Sequence, residues 1–409
     1  MYWIYRFILC LYYYMIHLAA IGNSKAKAWI QGRKTIGVSL TETIKNTHNI
    51  IWFHCPSLGE FEQGRPLMEL IKRKNPESKI LLTFFSPSGY EIRKNYAYAD
   101  FVLYLPHDNP KNAKSFINMV KPEKVFFIKY DFWYHFLYEL HKQNIPLYLV
   151  SAVFRKEQIF FRWYGSWYRK MLHFFSHIFV QDQASRELLA TYHINNVSVC
   201  GDTRFDRVQE NALHSIDIPQ IEQFCNNKFV LIAGSTWPAD EKLICRYINE
   251  HNISCIIAPH EIHTSHIKNI CDILQKKVLL FSEIKNKHIS EADVLIMDNI
   301  GMLSSIYKYG KVAYVGGGFG AGIHNTLEPA VYGMPVIFGP RYEKFHEAKE
   351  LIHSHAAISI KNYSQLKNTL DRLISDKHML DIYAKNAKNY VQEHTGATKC
   401  IFSHTMKKA

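Results

Sequence analysis

No acidic residue precedes Glu42, while Arg6, Lys25, Lys27, Arg33 and Lys34 all fall in that stretch, so a tenth of the 409-residue chain carries five of its thirteen net positive charges. No two of the eight cysteines, at positions 10, 55, 200, 225, 245, 255, 271 and 400, are spaced CxxC. That excludes a zinc ribbon and a disulfide framework and leaves reduced, mostly buried thiols as the expectation. Long apolar tracts are scarce too: mean hydropathy is −0.17 and one run alone, at the amino terminus, reaches membrane-spanning length, so a polytopic membrane protein is excluded. With 47% apolar and 21% charged residues, the rest is a folded chain long enough for two or three domains. Neither G-x-G-x-x-G with an acidic residue roughly twenty positions on nor a G-K-S/T P-loop occurs, so hydride transfer and ATP hydrolysis lose ground.

Residues 1–20, MYWIYRFILCLYYYMIHLAA, are apolar and aromatic apart from Arg6 and His17, and about 20 helical residues cross a bilayer. Five tyrosines and a tryptophan give the run an interfacial character. A single span and a helix lying in the interface both fit; a buried amino-terminal helix is disfavoured because nothing downstream asks for so aromatic a partner. The run is too long and too aromatic for a cleaved signal peptide. The basic cluster behind it is expected on the cytoplasmic side against anionic head groups, which attaches the body to the inner (cytoplasmic) membrane.

From residue 50 onward, apolar runs of four to seven residues alternate with longer amphipathic stretches: 50–54, 79–84, 101–105, 124–128, 146–152, 177–181 and 197–200, then 228–234, 254–259, 277–281, 293–298, 311–317 and 335–339. This is the βαβ rhythm of parallel sheets covered on both faces. The polar stretch 206–228 interrupts it and reads as a linker between two doubly wound α/β domains with a cleft between them. Ligands of such sheets bind beyond the carboxyl ends of the strands.

Three segments stand at such ends. In His54-Cys55-Pro56-Ser57-Leu58-Gly59-Glu60, Ser57 can cap the next helix and Gly59 lets backbone approach a ligand. Glu60 there is either a base for an incoming hydroxyl or the last member of an S-x-x-E capping box. Gly234-Ser235-Thr236, read as a turn opening a helix, offers amides and hydroxyls to a phosphate. Five glycines between 316 and 322 serve close approach to a bulky anion, with His324 and Asn325 to donate to phosphate or sugar oxygens and Glu328 to accept both hydroxyls of a ribose. His260, His263 and His266 do not meet H-E-x-x-H and diverge from a common helical face, so contact of one of them with a nucleotide outweighs zinc. In 154–175, Phe160, Trp163, Trp167, Met171 and Phe174 form a helical stripe beside Arg155, Lys156, Arg162, Arg169 and Lys170. It fits a core helix, a membrane or acyl-chain contact, or single-stranded nucleic acid, in that order.

Together, HCPSLGE (54–60), GDTRFD (201–206), AGSTWPADE (233–241), DNIGMLSSIY (298–307) and GGGFGAGIHNTLEPAVYGMPVIFGP (316–340), behind a membrane-proximal amino terminus, resemble the 3-deoxy-D-manno-octulosonic acid (Kdo) transferases that build the inner core of lipopolysaccharide. The resemblance covers about residues 25–350 and implies a GT-B glycosyltransferase of two tandem Rossmann-like domains. It implies CMP-Kdo as donor, a lipid A precursor (lipid IVA) as acceptor, inverting transfer, and neither metal nor other cofactor. By the same resemblance Glu60 is the catalytic carboxylate, with Asp131 a second acidic position. Ser57, Gly59 and Lys129 fall on the acceptor side, and Gly234, Ser235, Thr236, His260, Gly316, Gly317, His324, Asn325 and Glu328 on the donor side.

The chain departs from the family pattern in places. Lys129-Tyr130-Asp131 stands where many members have E-T-E, Pro259-His260-Glu261 where they have Pro-Arg-His, Met302 replaces a glutamate and Lys344 an asparagine. Arg341, Lys344 or Arg204 is then the candidate for the missing cation. The expected organisation is a membrane anchor or interfacial helix at 1–22, an acceptor domain at 23–205, the linker at 206–228, and a donor domain with carboxyl-terminal helices at 229–409. A UDP-sugar transferase acting on a lipid carrier and a non-catalytic membrane-tethered binding protein are the alternatives. Nucleic acid is not an expected partner, because the charge clusters at the amino terminus rather than along a groove.

Overall fold

The computed structural model describes residues 1–34, 36, 44, 47–226, 228–286 and 289–406. The first seven apolar runs become β1 (Ile50–Cys55), β2 (Lys79–Phe84), β3 (Phe101–Tyr104), β4 (Lys124–Ile128), β5 (Leu147–Ala152), β6 (His177–Val180) and β7 (Val197–Val199). They form one parallel sheet in the order β3-β2-β1-β4-β5-β6-β7. Alternation along the strands feeds two cores: Trp52, Leu81 and Phe127 face one side, Phe53, Leu82 and Phe126 the other.

A second parallel sheet holds β8 (Val230–Thr236), β9 (Ser254–Pro259), β10 (Val278–Leu280), β11 (Val294–Ile296), β12 (Val312–Val315), β13 (Val336–Phe338) and β14 (Ala357–Ser359), in the order β10-β11-β9-β8-β12-β13-β14. β14 was not among the expected strands; it is three residues long and sits at an edge, too short to leave a pattern. In both sheets the strand order reverses beside the first strand, between β1 and β4 and between β8 and β12.

The chain divides into two units, residues 1–207 with 395–409, and residues 208–394. The expected boundaries are therefore corrected at two places. Residues 395–409 return to the first unit, where the Asp206 carboxylate accepts from the Gly396 amide (2.6 Å) and from the Thr398 amide and hydroxyl (both 2.7 Å) and so starts the helix Ala397–Thr405. The expected linker is mostly helix, Thr203–Leu213 and Pro219–Cys225, the latter buried through Ile221 and Phe224 in a core of the second unit; Asn227 lies outside the described residues. Cys200 and Cys400 are joined in a disulfide, which corrects the expectation of free thiols; 200 residues of separation leave no spacing signal.

The amino terminus forms α1 (Tyr2–Ala19) and α2 (Ser24–Lys34), bent by 117° at a break where Asn23 Oδ1 accepts the Lys25 and Ala26 amides. Among the described residues no single helix is long and apolar enough to cross a membrane. Tyr2, Tyr5, Tyr12 and Tyr13, with Leu9, make the packed face of α1. The Tyr5 hydroxyl donates to Asp108 (2.6 Å) and accepts the Tyr134 amide (3.1 Å), Tyr2 meets Tyr134 and His135, Tyr12 stacks on Phe85, and Tyr13 meets His107. Aromatic partners for this helix do exist, scattered over helices and loops that the sequence does not connect. Trp3, Ile4, Phe7, Ile8, Leu11, Tyr14, Met15 and Leu18 lie on the exposed side.

The aromatic stretch 154–175 is not one helix. It breaks at Gly165, where a Cβ would fall 1.8 Å from the Ile159 carbonyl oxygen, and Phe154, Phe160, Phe161, Met171 and Phe175 are buried while Trp163 is 91% exposed.

His177 at the start of β6 lies 4.0 Å, ring to ring, from His404 of the carboxyl-terminal helix. Burial first, and then His404, push the His177 imidazole down to about 4. The unfolded chain, with an ordinary imidazole, binds this proton first, so stability falls as pH drops from about 6.5 toward 4. Melting temperature measured between pH 7 and 4.5 is expected to fall, and His177→Gln to flatten that part of the profile; an unchanged slope would refute the assignment.

Candidate active site

In the first unit the chemistry gathers where β1 and β4 end, at the reversal of strand order. Ser57, in extended conformation, caps the helix Leu58–Lys74: its hydroxyl oxygen accepts the Gly59 amide (3.3 Å) and its hydroxyl donates to Glu60 Oε2. Glu60 thus binds the Ser57 side chain and is held in the first turn, where the helix dipole favours its charge. The helix start is anchored from below. Gln63 donates to Asp202 (3.1 Å), and the Thr203 hydroxyl donates to the Gln63 carbonyl (2.6 Å). Burial works to raise the Asp202 carboxyl, but Arg204 outweighs it and holds the group below the ordinary carboxylate range. The GDTRFD block is accordingly a structural clasp, and Arg204, at 2.8 Å from Asp202, is committed to it rather than free to replace the missing family arginine.

Asp131, three residues beyond β4, is pinned by two donors at one oxygen: His54 Nε2 (2.9 Å) and the Trp133 indole (3.0 Å). The other His54 nitrogen meets the Thr83 hydroxyl (2.9 Å), which also receives the Trp52 indole (2.8 Å). This buried relay was missed in the sequence, although His54 opens the HCPSLGE block and a histidine at a strand end was the available signal. Cys55 marks the common neighbourhood of the two carboxylates: burial pushes its thiol well up, and Glu60 and Asp131 add to the rise. Lys129 adopts a left-handed conformation (φ 63°) directly after β4. A cavity of about 370 Å³ beside Asp131 is walled by Tyr130, Phe132, Trp133, Phe160 and Tyr168.

In the second unit the expected phosphate turn is corrected. Residues 234–236 continue β8, with Ser235 in a left-handed bulge (φ 53°), and the helix starts later, at Pro238. The Thr236 hydroxyl donates to Glu241 (2.9 Å), and Gly234 is tight against the Tyr307 hydroxyl, with its carbonyl accepting the Gly316 amide (2.9 Å). The helix start holds its own anions: Asp240 accepts from Tyr314 (2.8 Å), the Gly317 amide (2.9 Å) and the Trp237 amide (3.0 Å). Gly316 and Gly317 therefore spend their amides inside the fold; a Cβ on Gly316 would fall 2.2 Å from the Ser235 carbonyl oxygen. Ser235 is the member of the trio whose hydroxyl has no partner among the described residues.

His324 and His260 do come together. The rings of Trp237, His260 and His324 stack in sequence at 4.8 and 4.5 Å, and the Trp237 indole donates to His324 Nε2 (3.0 Å). An indole can only donate, so His324 Nε2 accepts and Nδ1 carries the ring proton. Burial, then His260, lower the His324 imidazole, which keeps it neutral. Asn325 donates to Glu328 (3.1 Å) and caps the Leu327 amide. His266 is bonded to Glu241 (2.8 Å) and the Glu261 carbonyl, turned away from the His260 stack. Arg341 reaches the Gly320 carbonyl (2.5 Å) and sits on the glycine loop.

The family model described as 3-deoxy-D-manno-octulosonic-acid transferase (kdotransferase) matches residues 31–207. The chain is 30% identical over 356 residues to the 3-deoxy-D-manno-octulosonic acid transferase of Aquifex aeolicus, covering 84% of this chain and 92% of that one. It is 27% identical over 361 residues to the Rickettsia bellii enzyme of the same name, covering 84% of each. Among solved structures, UDP-GlcNAc 2-epimerase from Neisseria meningitidis superposes with a TM-score of 0.63 at 16% identity, over 88% of this chain and all of that one, a likeness of fold. Two parallel α/β units built on this plan make a GT-B fold, and the chain belongs to the 3-deoxy-D-manno-octulosonic acid transferase family of glycosyltransferases.

Proposed function

We propose that the protein transfers Kdo from CMP-Kdo to a primary sugar hydroxyl of the lipid A precursor (lipid IVA), with inversion and without a metal. The observation that carries the reading is Glu60: a carboxylate at the mouth of β1, oriented by the Ser57 hydroxyl and sharing the Cys55 neighbourhood with Asp131. Glu60 takes the proton from the acceptor hydroxyl as that oxygen attacks the anomeric carbon, and CMP departs with the bonding pair. Asp131 acts through its bonds to His54 and Trp133 as an anchor for the aromatic-walled cavity beside it, which suits the apolar face of a sugar ring.

The second unit supplies neutral donors to the leaving phosphate: His324 Nδ1 and the Ser235 hydroxyl, with Arg341 as the cation on the glycine loop. Metal independence is favoured because Asp240 and Glu241, the carboxylates at the end of β8, are already saturated by internal donors.

Attachment to the cytoplasmic face of the inner membrane is part of the same proposal. It is supported by the exposed apolar side of α1, with Trp3 73% and Leu18 69% exposed, and by Lys25 and Lys27 exposed on α2.

With CMP-Kdo and a tetra-acylated lipid A precursor, Glu60→Gln is expected to lower turnover by about 10²–10⁴ with an unchanged melting temperature; near-normal turnover by mass spectrometry of the lipid would remove Glu60 as base. Asp131→Asn is expected to cost less than Glu60→Gln, mainly through acceptor KM. EDTA is expected to leave the rate unchanged, and CMP to raise the melting temperature where UDP does not.

A further inference from the structure

Arg33, near the end of α2, is a cation without an acid. Its guanidinium carbon lies 3.8 Å from the Trp29 ring, 5.0 Å from Phe85 and 5.1 Å from Tyr104. It donates to the Trp29 carbonyl (3.2 Å) and the Phe85 carbonyl (2.9 Å), while its Nε is buried with no partner. No carboxylate pairs with it among the described residues, and burial lowers the group from its usual range to about 9. A half-buried cation held only by ring faces and carbonyl dipoles, with its Nε buried and unpaired, is under-compensated, and an anion is what completes it.

A cavity of about 340 Å³ opens at this side chain, between the amino-terminal helices and the body of the first unit. Its apolar wall includes Trp29, Ile36, Phe116 and Met119; Lys34 and His17 stand with Arg33 on the basic side, and no acidic residue lines it among the described residues. The volume is at the low end for small-molecule sites, enough for a phosphate group and the head of one chain but not for a whole lipid. α1, which also lines this cavity through Tyr13 and His17, turns its apolar side outward.

We propose that this cavity is a binding site for the phosphodiester head and proximal acyl segment of an anionic phospholipid, with Arg33 and Lys34 on the phosphate and the apolar wall along the chain. The inference rests on the membrane placement of α1 and is independent of which sugar is transferred.

The test is native mass spectrometry of the full chain, purified in a neutral detergent and incubated with phosphatidylglycerol, phosphatidylcholine or glycerol phosphate. One phosphatidylglycerol is expected to be retained at concentrations where phosphatidylcholine is not, and glycerol phosphate is not expected to displace it. Arg33→Gln is expected to weaken retention by at least about tenfold. Because Arg33→Gln also removes two internal hydrogen bonds, Met119→Trp fills the same cavity from its apolar wall and leaves Arg33 in place; it is expected to abolish retention at an unchanged melting temperature. Lys142→Gln, an exposed charge outside the cavity and away from the amino-terminal helices, is expected to change nothing. Equal retention of phosphatidylcholine, displacement by glycerol phosphate, or folded Met119→Trp protein that still retains the lipid would each overturn the proposal.

Discussion

Every strand pair in both sheets is parallel, and this constraint arranges the rest. Parallel strands put all their carboxyl ends on one edge, and reversal of strand order beside the first strand leaves a gap at that edge which no crossover helix covers. In the first unit the gap falls between β1 and β4, so Glu60 and Asp131, 71 positions apart in the chain, are brought to the same rim. In the second unit it falls between β8 and β12, which sets Trp237 against His324. The covalent spacing of these residues has no meaning outside that topology.

Buried and half-buried carboxylates divide by whether their lone pairs are already filled. Asp202, Asp206 and Asp240 each accept from two or more internal donors and hold the framework, and Glu241 is filled by Thr236 and His266. An acid so satisfied has little left for a ligand, since each further donor competes with bonds whose loss would strand a buried charge. Glu60 differs: it is partly exposed and its described side-chain hydrogen bond is to Ser57, one that orients the group without filling it. On this ground, more than on motif membership, Glu60 stands apart from Asp202, Asp206, Asp240 and Glu241.

The strands were legible because both-face burial writes near-continuous apolar runs, and thirteen of those runs reappear within a few residues. Glycine marks close approach, and nothing in the sequence of the glycine loop says whether the approaching body is a ligand or, as at Gly316 and Ser235, the protein itself. The phosphate turn failed for a related reason, because Ser235 takes a left-handed conformation that propensity does not anticipate and the strand runs on through Thr236. The return of residues 395–409, the Cys200–Cys400 bond and the Asp206 clasp are contacts across nearly 200 residues, which local pattern cannot carry. In the first site, the His54–Asp131 bond was hidden the same way, its two ends 77 residues apart, one in β1 and the other in the loop beyond β4.

The amino terminus shows most plainly how composition and face differ. Residues 1–20 have the length of a membrane span, yet the side chains are sorted: Tyr2, Tyr5, Tyr12 and Tyr13 meet the protein, while Trp3, Phe7, Tyr14 and most of the aliphatic residues face away from it. A spanning orientation would have to break the Tyr5–Asp108 and Tyr5–Tyr134 hydrogen bonds and leave Asp108 buried with one donor fewer. Each such loss costs about 1–3 kcal/mol, and the ring contacts of Tyr2, Tyr12 and Tyr13 go with them. An in-plane orientation breaks none of these, because the exposed side of α1 enters the apolar layer while the tyrosine side keeps its partners. The rings of this segment also receive its one cationic side chain, Arg6, which lies over Tyr2 and Trp3 at 5.8 and 5.3 Å, a contact that aliphatic side chains would not supply.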